Sequence, residues 1–169
     1  MKYAGMIKND IAAGDGVNVS FFVQGCPIRC FGCHNPETWD FEGGKEFTPE
    51  VLEDLIQSIK ANGIQRNFSL LGGEPLCKQN FFLSYLLLST VKEKFPTIKT
   101  FVWTGYTVEE LQKQYSKEQL KKILSVVDMV IAGPFICGER DITLAKRGSR
   151  NQRIYKIENE SFIDITEKI

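Results

Sequence analysis

Four runs rich in β-branched and aromatic residues, each stopped by glycine, constrain the fold of this chain more than any other feature. Val17–Gln24 (VNVSFFVQ) runs into Gly25, Asn67–Leu71 (NFSLL) into Gly72-Gly73, Ile98–Thr104 (IKTFVWT) into Gly105, and Met129–Ala132 into Gly133-Pro134. Such runs read as strands, with Gly and Pro as their punctuation. Helical patterns fill the gaps. Thr48-Pro49-Glu50 is a helix start, with Thr48 as N-cap and Pro49 at the first helical position. Val51, Leu52, Leu55, Ile56 and Ile59 then form one apolar face at helical spacing, and Gly63 ends the segment. Asn80 to about Lys94 reads as a buried helix. Thr107–Glu110 and Ser116–Gln119 are capping-box patterns that open two short amphipathic helices. Gln152–Ile157 reads as a fifth strand.

Strands alternating with helices imply βαβ units and a parallel sheet. The glycine turns all follow strands, so they should gather at the carboxyl edge, where parallel α/β folds keep their active sites. A closed eight-stranded barrel needs about 250 residues. The chain has 169. The expectation is therefore one α/β domain over residues 1–169, a partial TIM-like (β/α) barrel of about five or six parallel strands.

Between the first strand and first helix lies Cys26-Pro-Ile-Arg-Cys30-Phe-Gly-Cys33, a C-x3-C-x2-C run. Three thiolates this close suit an iron–sulfur cube. A cube usually takes four cysteine ligands, so a three-cysteine loop leaves one iron open for chemistry. Zinc is the rival, because His34 follows Cys33 directly. Structural zinc sites usually split their ligands into two separated pairs, and adjacent residues seldom both reach one tetrahedral ion. Cys77 and Cys137 stand apart from the run and read as small buried hydrophobes rather than ligands.

Composition narrows the class. The chain carries 21 basic and 21 acidic residues, so no global field points to nucleic acid or an anionic membrane. The N-terminus, MKYAGMIKNDIAAGDG, lacks a signal-peptide h-region. The longest apolar-rich run, Phe81 to Val91, is broken by Ser84, Tyr85, Ser89 and Thr90 and is too short to span a bilayer. A cytoplasmic protein with reduced thiols is expected, with neither nucleic acid nor membrane as partner.

Extended outwards, the loop reads GDGVNVSFFVQGCPIRCFGCHNPETWDFEGG, followed by LLGGEPL (Leu70 to Leu76), VWTGYT (Val102 to Thr107), VIAGPF (Val130 to Phe135) and RGSRNQRI (Arg147 to Ile154). Over nearly its whole length this resembles the radical S-adenosylmethionine (SAM) enzymes. Within them it resembles the activases of glycyl-radical enzymes, and at this length the branch that activates anaerobic ribonucleoside-triphosphate reductase. One departure is Gly32, where many superfamily members carry an aromatic residue just before the third cysteine; here the aromatic is Phe31. Pyruvate formate-lyase activators usually have tyrosine there and are longer, which favours the reductase branch.

The resemblance implies a [4Fe-4S] cluster on Cys26, Cys30 and Cys33, with SAM at the open iron. It implies Gly72, Gly73 and Glu74 at the methionine amine, and backbone groups of Gly32, Cys33 and His34 on the adenine side. It offers Thr104 and Gly105 for the methionine or ribose, although a plain strand terminus explains them equally well. Asp15-Gly16 is a structural or partner-facing turn. The basic stretch Lys146, Arg147, Arg150, Arg153 and Lys156 is either a solvated face or, through its GSRNQ loop, a carboxylate-binding or docking element. The implied partners are the glycyl-radical subunit of anaerobic ribonucleoside-triphosphate reductase and a flavodoxin-type electron donor. The alternatives are an activase of another glycyl-radical enzyme, such as pyruvate formate-lyase, and a non-catalytic iron–sulfur or zinc module.

Overall fold

A computed structural model describes the whole chain, Met1–Ile169. Its centre is four strands, β2 (Asn18–Val23), β4 (Asn67–Gly72), β5 (Thr100–Thr104) and β6 (Met129–Ala132), each parallel to the next. Helix α1 (Pro49–Lys60) joins β2 to β4, α2 (Phe81–Lys94) joins β4 to β5, and α3 (Val108–Gln114) with α4 (Lys117–Leu124) joins β5 to β6. Every crossover moves one strand along the sheet in the same direction. Crossovers of one hand then put all four helices on one face. Alternate strand residues Val19, Phe21, Val23, Phe68, Leu70, Val102 and Val130 meet Leu55, Ile59, Leu87, Leu88, Leu111 and Ile123 there in a single buried cluster.

The helix ends follow the sequence signals. Both capping boxes are present, with Thr107 and Glu110 capping α3 and Ser116 and Gln119 capping α4. Helix α1 stops at Lys60, before Gly63, and buried Arg66 donates to the carbonyls of Ser58 in its last turn, Ala61 at its C-cap and Ile64 beyond it. No helix is long and apolar enough to cross a membrane.

The expected partial barrel of five or six parallel strands is overturned. The sheet is open, mixed and eight-stranded, in the order β3-β1-β2-β4-β5-β6-β7-β8, and only the β2–β4–β5–β6 pairs are parallel. Strand β1 (Lys2–Asp10) pairs antiparallel with β2 and with the short β3 (Lys45–Glu46). Its register shifts around Gly5 and after Ile7 break the two-residue alternation that marks a strand in sequence. On the other side, β7 (Arg153–Glu158) returns antiparallel to β6 and turns through Asn159-Glu160, both at positive φ, into β8 (Ser161–Asp164). A two-residue hairpin loop favours such a left-handed pair. The expected fifth strand exists, then, but runs the other way. A parallel partner needs a long crossover, usually helical. Residues 133–152 supply only a short 3-10 turn at Cys137–Glu139 and stay at the carboxyl edge of β6. That segment becomes one wall of the site.

Candidate functional site

The carboxyl ends of β2, β4, β5 and β6 surround a cleft of about 230 Å³. Cys26, Cys30, Cys33 and His34 line it from the loop after β2, Gly72, Gly73 and Glu74 from the turn after β4, Thr104 and Gly105 from the end of β5, and Phe135 and Lys146 from the loop after β6. Sequence reasoning brought together nearly all of these. Gly32 lies beside the cleft: at φ 75° its backbone packs on the loop after β6, and a Cβ there would sit 3.3 Å from Cys137 Sγ. Cys77 is buried under the turn after β4, and Cys137 is exposed. Neither lines the cleft.

All five cysteines are free thiols. Cys33 Sγ accepts the Asn35 N–H at 3.4 Å, and the backbone N–H groups of Ile28 and Arg29 near Cys26 and of Phe135 near Cys30 pull those thiols toward the anion. Such bonds favour the thiolate, while burial pushes the Cys26 and Cys30 thiols above their usual range. A cation must displace those protons to bind. No three His, Cys, Asp or Glu side chains converge closely enough to hold a single ion. Three soft thiols facing one cleft fit a multi-iron cluster whose ligands bind separate irons. Burial pushes the Cys77 thiol up to about 12, which makes it an inert core group.

The glycines of the turn after β4 face their own protein. Gly72 has φ 108°, and a Cβ on Gly73 would lie 2.4 Å from the carbonyl oxygen of Gly25. That close approach lets Gly73 N–H donate to Val23 and Glu74 N–H to Gly25. Asn80 ties the same region with its amide, donating to the carbonyls of Gln24, Gly25 and Glu74. The exit of the cysteine loop and the Gly-Gly-Glu turn are thus one unit.

Glu74 is fully buried. Its Oε1 accepts from Leu76 N–H at 2.8 Å and Thr104 Oγ1 at 2.7 Å, and its Oε2 from Gly105 N–H at 2.6 Å. Burial pushes its carboxyl up to about 7, against the pull of those three donors toward the anion. A carboxylate has about four acceptor sites, so one remains for a donor in the cleft. An ammonium there would drive the group to the anion.

Three further cleft residues, Trp103, Phe135 and Gln152, lie within the VWTGYT, VIAGPF and RGSRNQRI motifs, although their individual roles are not legible in the sequence. Trp103 falls on the helix-free face by alternation, and its indole N–H donates to the Lys146 carbonyl at 2.8 Å. Phe135 packs between Gly32 and Gly148, with its ring centre 5.4 Å from that of His34. Gln152 receives the backbone N–H groups of Gly148 and Ser149 and donates to Gly133, which fixes the wall. The basic stretch is largely absorbed by local partners. Lys146 pairs with Asp15 at 2.7 Å, which holds the Asp15 carboxyl below its usual range. Arg147 donates to the Gln152 carbonyl, Arg153 pairs with Asp164 and Glu167, and Lys156 with Glu158. The Asp15-Gly16 turn is accordingly a structural latch: the Asp15 carbonyl accepts from Asn18 and Asn67.

Comparison with known proteins gives the family. The family model described as a 4Fe-4S single cluster domain matches residues 12–155. A protein of Pasteurella multocida is 35% identical over 157 residues, covering 92% of this chain and 98% of the relative. Its counterpart in Haemophilus influenzae is 34% identical over 157 residues, covering 92% and 98%, and that of Escherichia coli 30% over 158 residues, covering 93% and 99%. All three are named anaerobic ribonucleoside-triphosphate reductase-activating protein. With the cysteine loop inside the matched span and similarity running end to end along its relatives, the chain belongs to the 4Fe-4S single cluster family and, within it, to the anaerobic ribonucleoside-triphosphate reductase-activating proteins.

Proposed function

We propose that this chain is a cytoplasmic activase, a single domain that holds a [4Fe-4S] cluster on Cys26, Cys30 and Cys33 and binds SAM beside it to generate the glycyl radical of anaerobic ribonucleoside-triphosphate reductase. The observation that carries the reading is the meeting in one cleft of three cysteine thiols with a Gly-Gly-Glu turn whose Glu74 is buried. Held by Cys26, Cys30 and Cys33 and reduced, such a cluster would supply the one electron needed to cleave the C5′–S bond of SAM, and so the means to take a hydrogen atom from a glycine of the partner. The hard chemistry belongs to the cofactors; the chain orients and shields them.

The chain's own residues have distinct tasks. Cys26, Cys30 and Cys33 would lose their protons to solvent on binding iron, and the Asn35 N–H steadies the Cys33 sulfur. Glu74 accepts the methionine ammonium with its remaining acceptor site, while its bonds to Thr104 and Gly105 lock the end of β5 beside it. Gly105 keeps that approach clear, since a Cβ there would meet Ile28 at 2.6 Å. His34 and the backbone of Gly32 and Cys33 lie on the side assigned to adenine. A flavodoxin-type protein is the electron donor, by resemblance to the activases.

The test is anaerobic reconstitution with iron and sulfide, followed by SAM, a reductant and the reductase. The reading expects 5′-deoxyadenosine and a glycyl-radical doublet in the EPR spectrum of the reductase. A doublet that arises only on pyruvate formate-lyase would transfer the chain to another partner. No 5′-deoxyadenosine from cluster-loaded protein would end the SAM reading.

A further inference from the structure

Two loops form the mouth of the cleft, and both present bare apolar side chains to solvent. Phe31, between Cys30 and Cys33, is 85% exposed; Ile142, on the loop that continues into Lys146, is also 85% exposed, and Ile136, next to Phe135, is 43% exposed. The loops touch, since Gly32 packs on Phe135 and Cys137. Ile142 is held out on a tied frame. Arg140 bridges to Ser149, Asp141 N–H donates to Gly148, Arg150 N–H to Glu139, and Ile136 N–H to Ser149 Oγ.

These loops carry charge of both signs, with Glu37 and Glu42 on the first and Glu139 on the second beside the arginines. Asp141 is bound by Thr143, and Asp40 by the Glu42 N–H. Arg29, Arg140 and Arg150 make no ion pair. A rim of exposed Phe and Ile with Arg140 and Arg150 beside it, and with Arg29 over the Trp39 ring at 6.0 Å, has the composition of a protein-binding hot spot, in which aromatic and Arg anchors lead. A site that makes a radical also needs its mouth closed against water. A small substrate would leave these side chains in solvent; a protein that delivers a glycine loop would cover them.

We infer that Phe31, Ile136 and Ile142, flanked by Arg29, Arg140 and Arg150, form the docking surface for the protein substrate, and that the matching segment of the reductase is apolar. The inference rests on the activase reading and adds the surface through which it works.

The experiment measures the affinity of the cluster-loaded chain, with SAM, for the anaerobic reductase of the same organism. Phe31→Ser and Ile142→Asp should each weaken the complex on the order of 10- to 100-fold. Both should keep wild-type iron, sulfide and melting temperature. Ile11→Ser is the control: Ile11 is 81% exposed but lies in the loop from β1 to β2, at the opposite end of the sheet. It should bind as wild type. Wild-type affinity in both mouth variants, or an equal loss in Ile11→Ser, would overturn the surface while leaving the activase reading intact. Failure of the wild-type chain to bind the reductase would overturn the activase reading itself.

Discussion

The same four parallel strands end in opposite ways. At their amino ends, side chains close the structure. Asn67 donates to the Asp15 carbonyl and accepts from Lys99 N–H, while Asp128 accepts from Lys92 at 2.6 Å and from Thr100 N–H at 2.7 Å. At their carboxyl ends, glycines let loops pack closely, Gly72 on the Phe22 backbone and Gly73 on the Gly25 carbonyl, and a cleft remains between the loops. The amino end spends polar side chains on satisfying the backbone. The carboxyl end leaves thiols and one buried carboxylate facing the cleft. Stability and chemistry are thereby separated along one set of strands, and substitutions at the two ends should fail differently.

The largest effect belongs to the carboxyl end. Cys26→Ala, Cys30→Ala or Cys33→Ala should each abolish cluster retention in anaerobic iron and sulfide analysis, while Cys77→Ala and Cys137→Ala keep it. Loss of the cluster in Cys77→Ala would break the three-thiol account. Next comes Glu74→Gln. An amide cannot accept from both Gly105 and the Leu76–Thr104 pair, and it lacks the charge that meets an ammonium. SAM affinity should fall on the order of 10- to 100-fold by equilibrium binding. Unchanged affinity would reduce the Gly-Gly-Glu turn to a structural brace.

The amino end supplies the converse. Asp128→Ala removes the acceptor of Lys92 and Thr100 and should cost about 1–3 kcal/mol in denaturant unfolding, with iron content as wild type. A loss of cluster without a loss of stability would erase the division between the ends. The smallest effect is pH dependence. Glu74 binds its proton more tightly in the folded chain than in the unfolded one, so its contribution to stability is whole below the ordinary Glu range and is lost as pH rises through about 7. Relative to Glu74→Gln, the wild-type cluster-free protein should lose stability between pH 5 and pH 7.5, followed by thermal unfolding. A relative gain over that range would show that the three donors outweigh burial.

Much of the site was legible because it is local. The cysteine spacing, the glycine stops and the capping boxes are each written within a few residues, and the strand ends bring them to one edge. The β2, β4, β5 and β6 runs were legible for the same reason. The sheet's outer strands were not. Strand β1 lacks alternation across its register shifts, and the direction of β7 depends on whether residues 133–152 contain a crossover helix, a property of the whole segment rather than of β7. The role of Gly73 was also hidden. Its glycine signals a close approach, but only the structure identifies the approaching group as the backbone of Gly25. Lys146 and Arg153 read as a basic face in sequence, whereas their partners Asp15 and Asp164 are set by tertiary contact.

The central claim is that the cleft at the carboxyl edge holds one iron–sulfur cube on three thiols. Iron, acid-labile sulfide and zinc, measured together on protein reconstituted without oxygen, test it most directly. The account predicts about four irons and four sulfides per chain with no stoichiometric zinc. One zinc per chain without sulfide would contradict it.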